Sequence, residues 1–463
     1  MSHLDTAETV ANDQPARDLG PLAWVLDEVR KSLESANKAI RRYVRDADAA
    51  RGTDLASVDT AQLRMARQHL HQAMGALDMV GQAPAALVLK AMEALAQQFV
   101  KDPARCSEAA AALLEKASFA VVDYLDSEMR GQNLSPVGLF PDYRDLLRLS
   151  GSDRVHPADL WPHALRWVNP TLPVSGESRD YGPATRQILD RSLLSIMRTG
   201  DVSAARDMQA LCLGLAQQSG GAGRPVVFWK VAAAFFEAIE QQVLPLDVYL
   251  KRAVPRILLQ YTALAGGDES VSDRLVLDLL FYCAQVPADR VAPGSVLAVV
   301  RRAMGLDPHQ PVAYEHRRFG RFDPAVLVQA RKRIETVKET WSALSGGDLT
   351  RMKNAPGQFG LVVDSLTRLH PPSTRLGQAL TQAVDSTVRA GGAPGTELAM
   401  EIATVVLYLE AVFDELDPDD PGLTERTNRL AERLERVMQG NAAEPLETWM
   451  EELYRRVSDH QTM

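Results

Sequence analysis

The sequence predicts an all-α protein built from successive helical bundles. Three observations lead there. Only 6% of the 463 residues are aromatic, while helix-favouring Ala, Leu, Arg, Glu and Gln recur throughout; sheets draw on β-branched and aromatic residues instead. Apolar residues return at three- and four-residue steps, the spacing that puts them on one face of a helix. Gly, Pro and Asp breakers then cut the chain into separate amphipathic segments.

In chain order, residues 1–20 form a flexible polar tail. A first helix runs from about Leu22 to Arg45, with Leu22, Val25, Leu26, Val29, Leu33, Ala36, Ile40 and Val44 on one stripe. A loop holding Gly52 and Asp54 follows. The next helix starts at Asp59 or Thr60, both competent caps, and its stripe is Leu63, Ala66, Leu70, Ala73, Leu77 and Val80. A third covers 83–101 and stops at Asp102-Pro103; a fourth covers 107–129 and stops at Gly131. Four helices with short loops over 21–131 read as an up-down four-helix bundle. Residues 132–180, rich in Pro, Gly, Ser and Asp, read as a linker with one short helix near 143–149. A central helical block spans 181–322, broken at Gly200-Asp201, Gly220-Gly221, Pro245 and Gly266-Gly267. A last block, 323–463, is broken at Gly346-Gly347, Pro371-Pro372 and Pro418 and closes with a helix over 444–458. A faint internal repeat relates LHQAMGALDMV at 70–80 to FGLVVDSLTRL at 359–369, and 116–129 to 404–417. Shared helical periodicity competes with duplication as its explanation.

Composition narrows the function. Charged residues make up 24% and hydrophobic residues 46%, which excludes global disorder. Lys and Arg total 51 against 60 Asp and Glu, a net charge of -9. Such a chain is poorly suited to nucleic acid or anionic membranes. The N-terminus lacks the basic-then-apolar layout of a signal peptide. No apolar run approaches the ~20 residues of a membrane helix. Cys106, Cys212 and Cys283 are far apart, without disulfide or zinc spacing. Each reads as a small buried hydrophobe. A cytoplasmic protein without metal or cofactor is the expectation.

The residue that carries most chemical promise is His71. It follows the core residue Leu70, so its imidazole belongs on the flank of the stripe. A neutral imidazole is a good nucleophile toward an acyl phosphate near neutral pH. Gly75, one turn on, removes bulk and gives access. Against this stands a boundary histidine with Gly75 permitting close helix packing. His69 and His71 lie about 200° apart around a helix and cannot chelate one ion. His156, His163 and His370 read as turn residues. The run SGGAGRP at 219–225 precedes a helix but lacks the Lys-Ser/Thr of a P-loop. Acid pairs Asp414-Glu415 and Glu451-Glu452 read as solvated faces. Arg41, Arg42 and Arg45, and Arg317, Arg318 and Arg321, read as a solvated rim able to meet acidic partners.

Four stretches, PLAWVLDEVRKSL, HQAMGALDMV, DRLVLDLLFYCA and PLETWMEELYRRVSDHQTM, give the chain a family resemblance through their order and spacing. It resembles the N-terminal, non-catalytic region of the ChpA/PilL pilus chemosensory kinases and the related stand-alone regulator FimL. The resemblance covers about 22–463. It implies degenerate histidine-phosphotransfer (HPt)-like bundles: a four-helix bundle at 21–131, and a second, degenerate one within 323–463. It further implies a cytoplasmic signalling scaffold at the cell pole, without its own kinase domain, in a chemosensory phosphorelay that controls type IV pili and twitching motility. Its partners would be response regulators, other chemosensory proteins or polar pilus-regulatory proteins. His71 falls at the phospho-acceptor position and Gly75 at the access glycine. Met74 stands where the family carries Lys. In the second bundle Gly360 replaces the histidine and Asp364 the glycine, so no histidine transfer is available there. Two alternatives accompany the scaffold reading: an active phosphotransfer protein using His71, and the N-terminal fragment of a larger CheA-like kinase. Phosphohistidine transfer is the one enzymatic activity the residues would support.

Overall fold

A computed structural model describes residues 19–50, 59–218, 223–414, 416–417 and 420–461. The 1–18 part of the expected tail, Gly52 and Asp54, Gly220-Gly221, Glu415 and Pro418 lie outside them. The described residues form seventeen α-helices and no strand. They divide into two compact units that meet in sequence at Arg321 and Phe322.

The first unit opens with α1 (Gly20–Ala49), α2 (Ala61–Met79), α3 (Ala83–Lys101) and α4 (Glu108–Met129). Each packs on the next, and α4 closes back on α1. Pro21 and Pro84 sit in the first turns of α1 and α3, where a missing N–H costs nothing. Asp59 accepts the Ala61 amide at 2.8 Å, and the Ser107 hydroxyl accepts that of Ala110 at 3.2 Å. These side chains satisfy amide groups that the first helical turn leaves open. The α2 stripe is buried as its spacing requires: Leu63, Ala66, Leu70, Ala73 and Leu77 are all in the core. Val80 lies only at its edge.

The stretch expected as a linker packs in part against this bundle. A 3-10 turn (Pro136–Leu139) and α5 (Phe140–Leu149) bury Val137, Leu139, Phe140 and Leu146. α5 wedges between α3 and α4. A second 3-10 turn, Pro157–Leu160, buries Leu160 and is followed by buried Trp161. Turn residues dominate this composition, and they mask a few large apolar anchors.

The central helices are α6 (Pro183–Thr199), α7 (Val202–Gln218), α8 (Arg224–Glu240), α9 (Val248–Ala265), α10 (Asp273–Gln285) and α11 (Val296–Ala303). α8 is buried nearly all round, from Val226 to Ile239, and α7, α10 and α11 pack against it. The eight-residue α11 has no counterpart in the sequence reading; it is too short for a clear period.

After α11 the chain runs without helix to Arg321 and returns to the first bundle. Phe319 meets the Tyr124 ring of α4 edge-on, 5.6 Å between centroids. Gly320, at φ +68°, lies so close to α4 that a Cβ would sit 2.6 Å from the Ala120 amide nitrogen. Only glycine combines that left-handed backbone with that approach.

The second unit contains α12 (Pro324–Ser345), α13 (Ala355–Leu369), α14 (Thr374–Ala390), α15 (Thr396–Asp414), α16 (Pro421–Met438) and α17 (Thr448–Gln461). α12 lies between α13 and α15, α13 packs on α14, and α16 lies between α14 and α15. This is the order of α1 to α5, with α16 in the place of α5. Leu70, Ala73 and Leu77 of α2 correspond to Phe359, Val362 and Leu366 of α13, and all six are buried. The matched register and helix order support the internal repeat. A buried ion pair ties the far end of this unit together. Arg433 of α16 meets both carboxylate oxygens of Glu401 of α15 at 2.6 and 3.1 Å. It also donates to the carbonyls of Glu444 and Pro445 at 2.8 and 2.9 Å, holding the turn that leads to α17.

Candidate functional site

His71 lies on the outer flank of α2, its side chain 63% exposed. Across the tight turn between α2 and α3, the carboxylate oxygens of Glu93 lie 3.1 and 3.3 Å from its Nδ1. Glu93 is 17% exposed and is also approached by Arg67, one turn before His71, at 3.5 Å. An ionised carboxylate only accepts, so the neutral imidazole carries its proton on Nδ1 and donates it to Glu93. Nε2 keeps its lone pair. A carboxylate on the far nitrogen fixes the tautomer and orients the ring. The pair therefore has the geometry of a positioned nitrogen nucleophile.

Gly75 faces open space: a Cβ there would meet nothing within 4 Å. Close packing among the described residues does not require it. A mid-helix glycine costs ~1 kcal/mol relative to alanine, so the fold gains nothing by it. Met74 is half-buried against the core and offers no cation beside His71.

The corresponding face of α13 is chemically different. Gly360 is exposed. Asp364, at the position of Gly75, is engaged by Arg333 of α12 at 3.6 Å and by Arg368 at 4.0 Å.

Glu93 had no signal of its own in the sequence, being one acid on an amphipathic helix. Hairpin register could have found it. His71 stands 10 positions before Gly81 and Glu93 stands 12 after it, so an antiparallel pair sets them side by side.

His156, His163 and His370 make their contacts within the fold. His156 accepts the Ala158 amide at Nδ1 (3.1 Å), so Nε2 holds the proton and donates to the Tyr282 hydroxyl at 3.2 Å. Burial, then Arg274, Arg256 and Arg252, push its pKa down to about 3. His163 stacks on Trp161, 4.5 Å between centroids, and meets His309 at 3.3 Å; burial pushes it down to about 4. His370 is buried, with Nδ1 2.6 Å from the Ser373 hydroxyl. The arginine clusters are partly committed inside the fold. Arg41 pairs with Glu108 and Glu115. Arg317 pairs with Asp142 and Asp145 at 3.4 and 2.9 Å. The rim reading fails for these two because neighbouring helices supply acids. All three cysteines are buried, and burial pushes the Cys106 and Cys283 thiols up to about 12. Among the described residues no three His, Cys, Asp or Glu side chains gather as a metal site would need. No helix of the described residues is long and apolar enough to cross a membrane.

The described residues thus define an all-α protein whose first unit holds α1 to α11 and whose second unit holds α12 to α17. Residues 175–317, which hold α6 to α11 and most of the returning segment, match the family described as FimL scaffold protein second domain. The match supports a FimL-type scaffold, the family that the sequence resemblance implied. No curated protein and no solved structure matches the chain. A scaffold domain implies protein partners in general.

Proposed function

We propose that the protein is a cytoplasmic scaffold of a chemosensory system controlling type IV pili and twitching motility, which docks response regulators or polar pilus proteins at the cell pole. The match of 175–317 to a FimL scaffold domain carries this reading. Helix faces suit such docking because recognition needs only positioned apolar and charged side chains. Trp24 of α1 and Met79 of α2, both almost fully exposed, offer apolar anchors on the first bundle. Deleting the gene in a piliated host is expected to abolish surface twitching at unchanged growth. Normal twitching overturns the proposal.

The His71 geometry favours a second reading, histidine phosphotransfer. Nε2 of His71 would attack the phosphorus of a partner's aspartyl phosphate. The N–P bond forms as the P–O bond to the aspartate breaks, and the aspartate leaves as carboxylate. Glu93 would hold the Nδ1 proton and stabilise the charge that develops on the ring, while Gly75 admits the partner. Incubation with a phosphorylated receiver is expected to label wild type and not His71→Gln. Glu93→Gln, which keeps the shape but loses the charge, is expected to slow labelling by about 10–100-fold. No label on wild type refutes the transfer reading and leaves the scaffold reading standing.

A further inference from the structure

α5 ends in a tight turn over residues 148–154, whose sequence is Arg-Leu-Ser-Gly-Ser-Asp-Arg. Gly151, at φ +86°, takes the left-handed conformation that closes the helix. The Ser152 amide donates to the Leu147 carbonyl at 2.9 Å and the Gly151 amide to that of Arg148 at 3.1 Å. Three long side chains from elsewhere in the first unit tie the turn down. Gln98 of α3 donates to the Ser150 carbonyl at 3.1 Å. Arg105, just after α3, donates to that of Leu149 at 3.1 Å, and Arg252 of α9 to that of Asp153 at 3.2 Å. The shape of the turn is therefore set before any partner arrives. Arg105, Arg148, Arg154 and Arg252 all lie on or against it, and all four are exposed.

Among the described residues none of these four guanidiniums is ion-paired with a carboxylate. That separates them from Arg41 and Arg317, which acids on neighbouring helices neutralise. The one carboxylate within the turn is Asp153, and the carbonyl end of α5 adds about half a negative charge. More than half of the fourfold positive charge is left unmatched, a local reversal of sign in a chain of net charge -9. Guanidiniums present forked donors that fit carboxylates, and arginine is enriched where proteins meet. Two observations favour a protein over other polyanions. Leu149, 37% exposed, lies among the four arginines and offers an apolar contact that a phosphate backbone has no group to match. The net charge of -9 repels an extended nucleic acid or an anionic membrane.

We propose that this turn, with Arg105 and Arg252, is a docking surface for an acidic segment of a partner protein. Carboxylates of the segment meet the four guanidiniums and an aliphatic side chain meets Leu149. The inference is independent of His71 and of the pilus reading.

Fluorescence anisotropy on the full chain tests it with a labelled peptide of alternating glutamate pairs and single leucines. Saturable binding is expected at low salt, weakening by at least about tenfold in ~0.3 M salt. An analogue with glutamine for glutamate is expected to bind at least about tenfold more weakly, and one with alanine for leucine about threefold. The double variant Arg148→Glu, Arg154→Glu is expected to lose at least about tenfold in affinity. Both side chains are exposed, so its melting temperature is expected to match wild type. Arg191→Glu with Arg198→Glu, exposed on α6, makes the same change in net charge elsewhere and is expected to keep wild-type affinity. Five results overturn the proposal: no saturable binding up to about 1 mM, equal binding of either analogue, full affinity in the turn variant, an equal loss in the α6 variant, or tighter binding of an oligothymidylate or of phosphatidylserine vesicles than of the peptide.

Discussion

Replacing Asp142 with Asn is expected to remove a pH dependence that the first unit carries through the returning segment. Asp142 lies in the first turn of α5 and is 1% exposed. Arg317 reaches its Oδ1 at 3.4 Å, and its buried Oδ2 has no hydrogen-bond partner among the described residues. Burial outweighs the pull of Arg317 and pushes the carboxyl from its ordinary 3.8 up to about 7. Between those values the folded chain holds a proton that the unfolded chain has released. The stabilising contribution is therefore complete below about pH 4 and is lost as pH rises through about 7. About three pKa units at ~1.4 kcal/mol each give ~4 kcal/mol over the full range, of which ~3 kcal/mol falls between pH 5 and 8. Asn keeps the shape and has no proton to lose, while Arg317 keeps Asp145 at 2.9 Å. Urea unfolding of both proteins from pH 5 to 8 measures the difference. The Asn variant is expected to gain on wild type by up to ~3 kcal/mol as pH rises. Parallel stability curves would refute the account, because they would mean that Asp142 is as ionised in the folded chain as in the unfolded one.

Arg433→Met is expected to destabilise the second unit by ~3–5 kcal/mol, because it strands the buried Glu401 carboxylate; a second-unit melting transition within experimental error of wild type would contradict this. Gly320→Ala is expected to cost the first unit ~2–3 kcal/mol from the left-handed backbone and the approach to Ala120, and thermal melts read it directly. Gly75→Ala is expected to have opposite effects on stability and function. It should stabilise the bundle by ~0.5–1 kcal/mol, since its Cβ meets only open space, yet slow labelling from a phosphorylated receiver. Destabilisation would show that Gly75 serves packing after all.

The helices were legible because their stripes are regular and their caps are local. Ser107, Asp59 and Gly200 mark ends that depend on residues two to four positions away. What escaped was non-local. Val137, Phe140 and Leu160 sit in a stretch whose Pro and Gly content says linker, and only the surface left between α3 and α4 makes them core. The return of 304–321 to the first bundle depends on Phe319 finding Tyr124 and on Gly320 fitting over Ala120. Those partners lie nearly two hundred residues back in the sequence. His71 was visible through its place beside the stripe, whereas Glu93 needed the hairpin register.

The two bundles together show which features of the first are dispensable for folding. α13 keeps the buried triplet Phe359, Val362 and Leu366, so the core register of α2 is retained. On the outward face Gly360 and Asp364 stand where His71 and Gly75 stand in α2, and Arg333 and Arg368 hold Asp364. Neither position carries core packing: a Cβ at Gly360, as at Gly75, would meet nothing within 4 Å. The fold therefore does not explain why the first bundle has His71, its Glu93 buttress and an unprotected Gly75 together. Core packing requires neither His71 nor a glycine at position 75, and helix propensity opposes the glycine. Under the docking or the transfer reading proposed above, a partner that approaches the flank of α2 would give the combination its use.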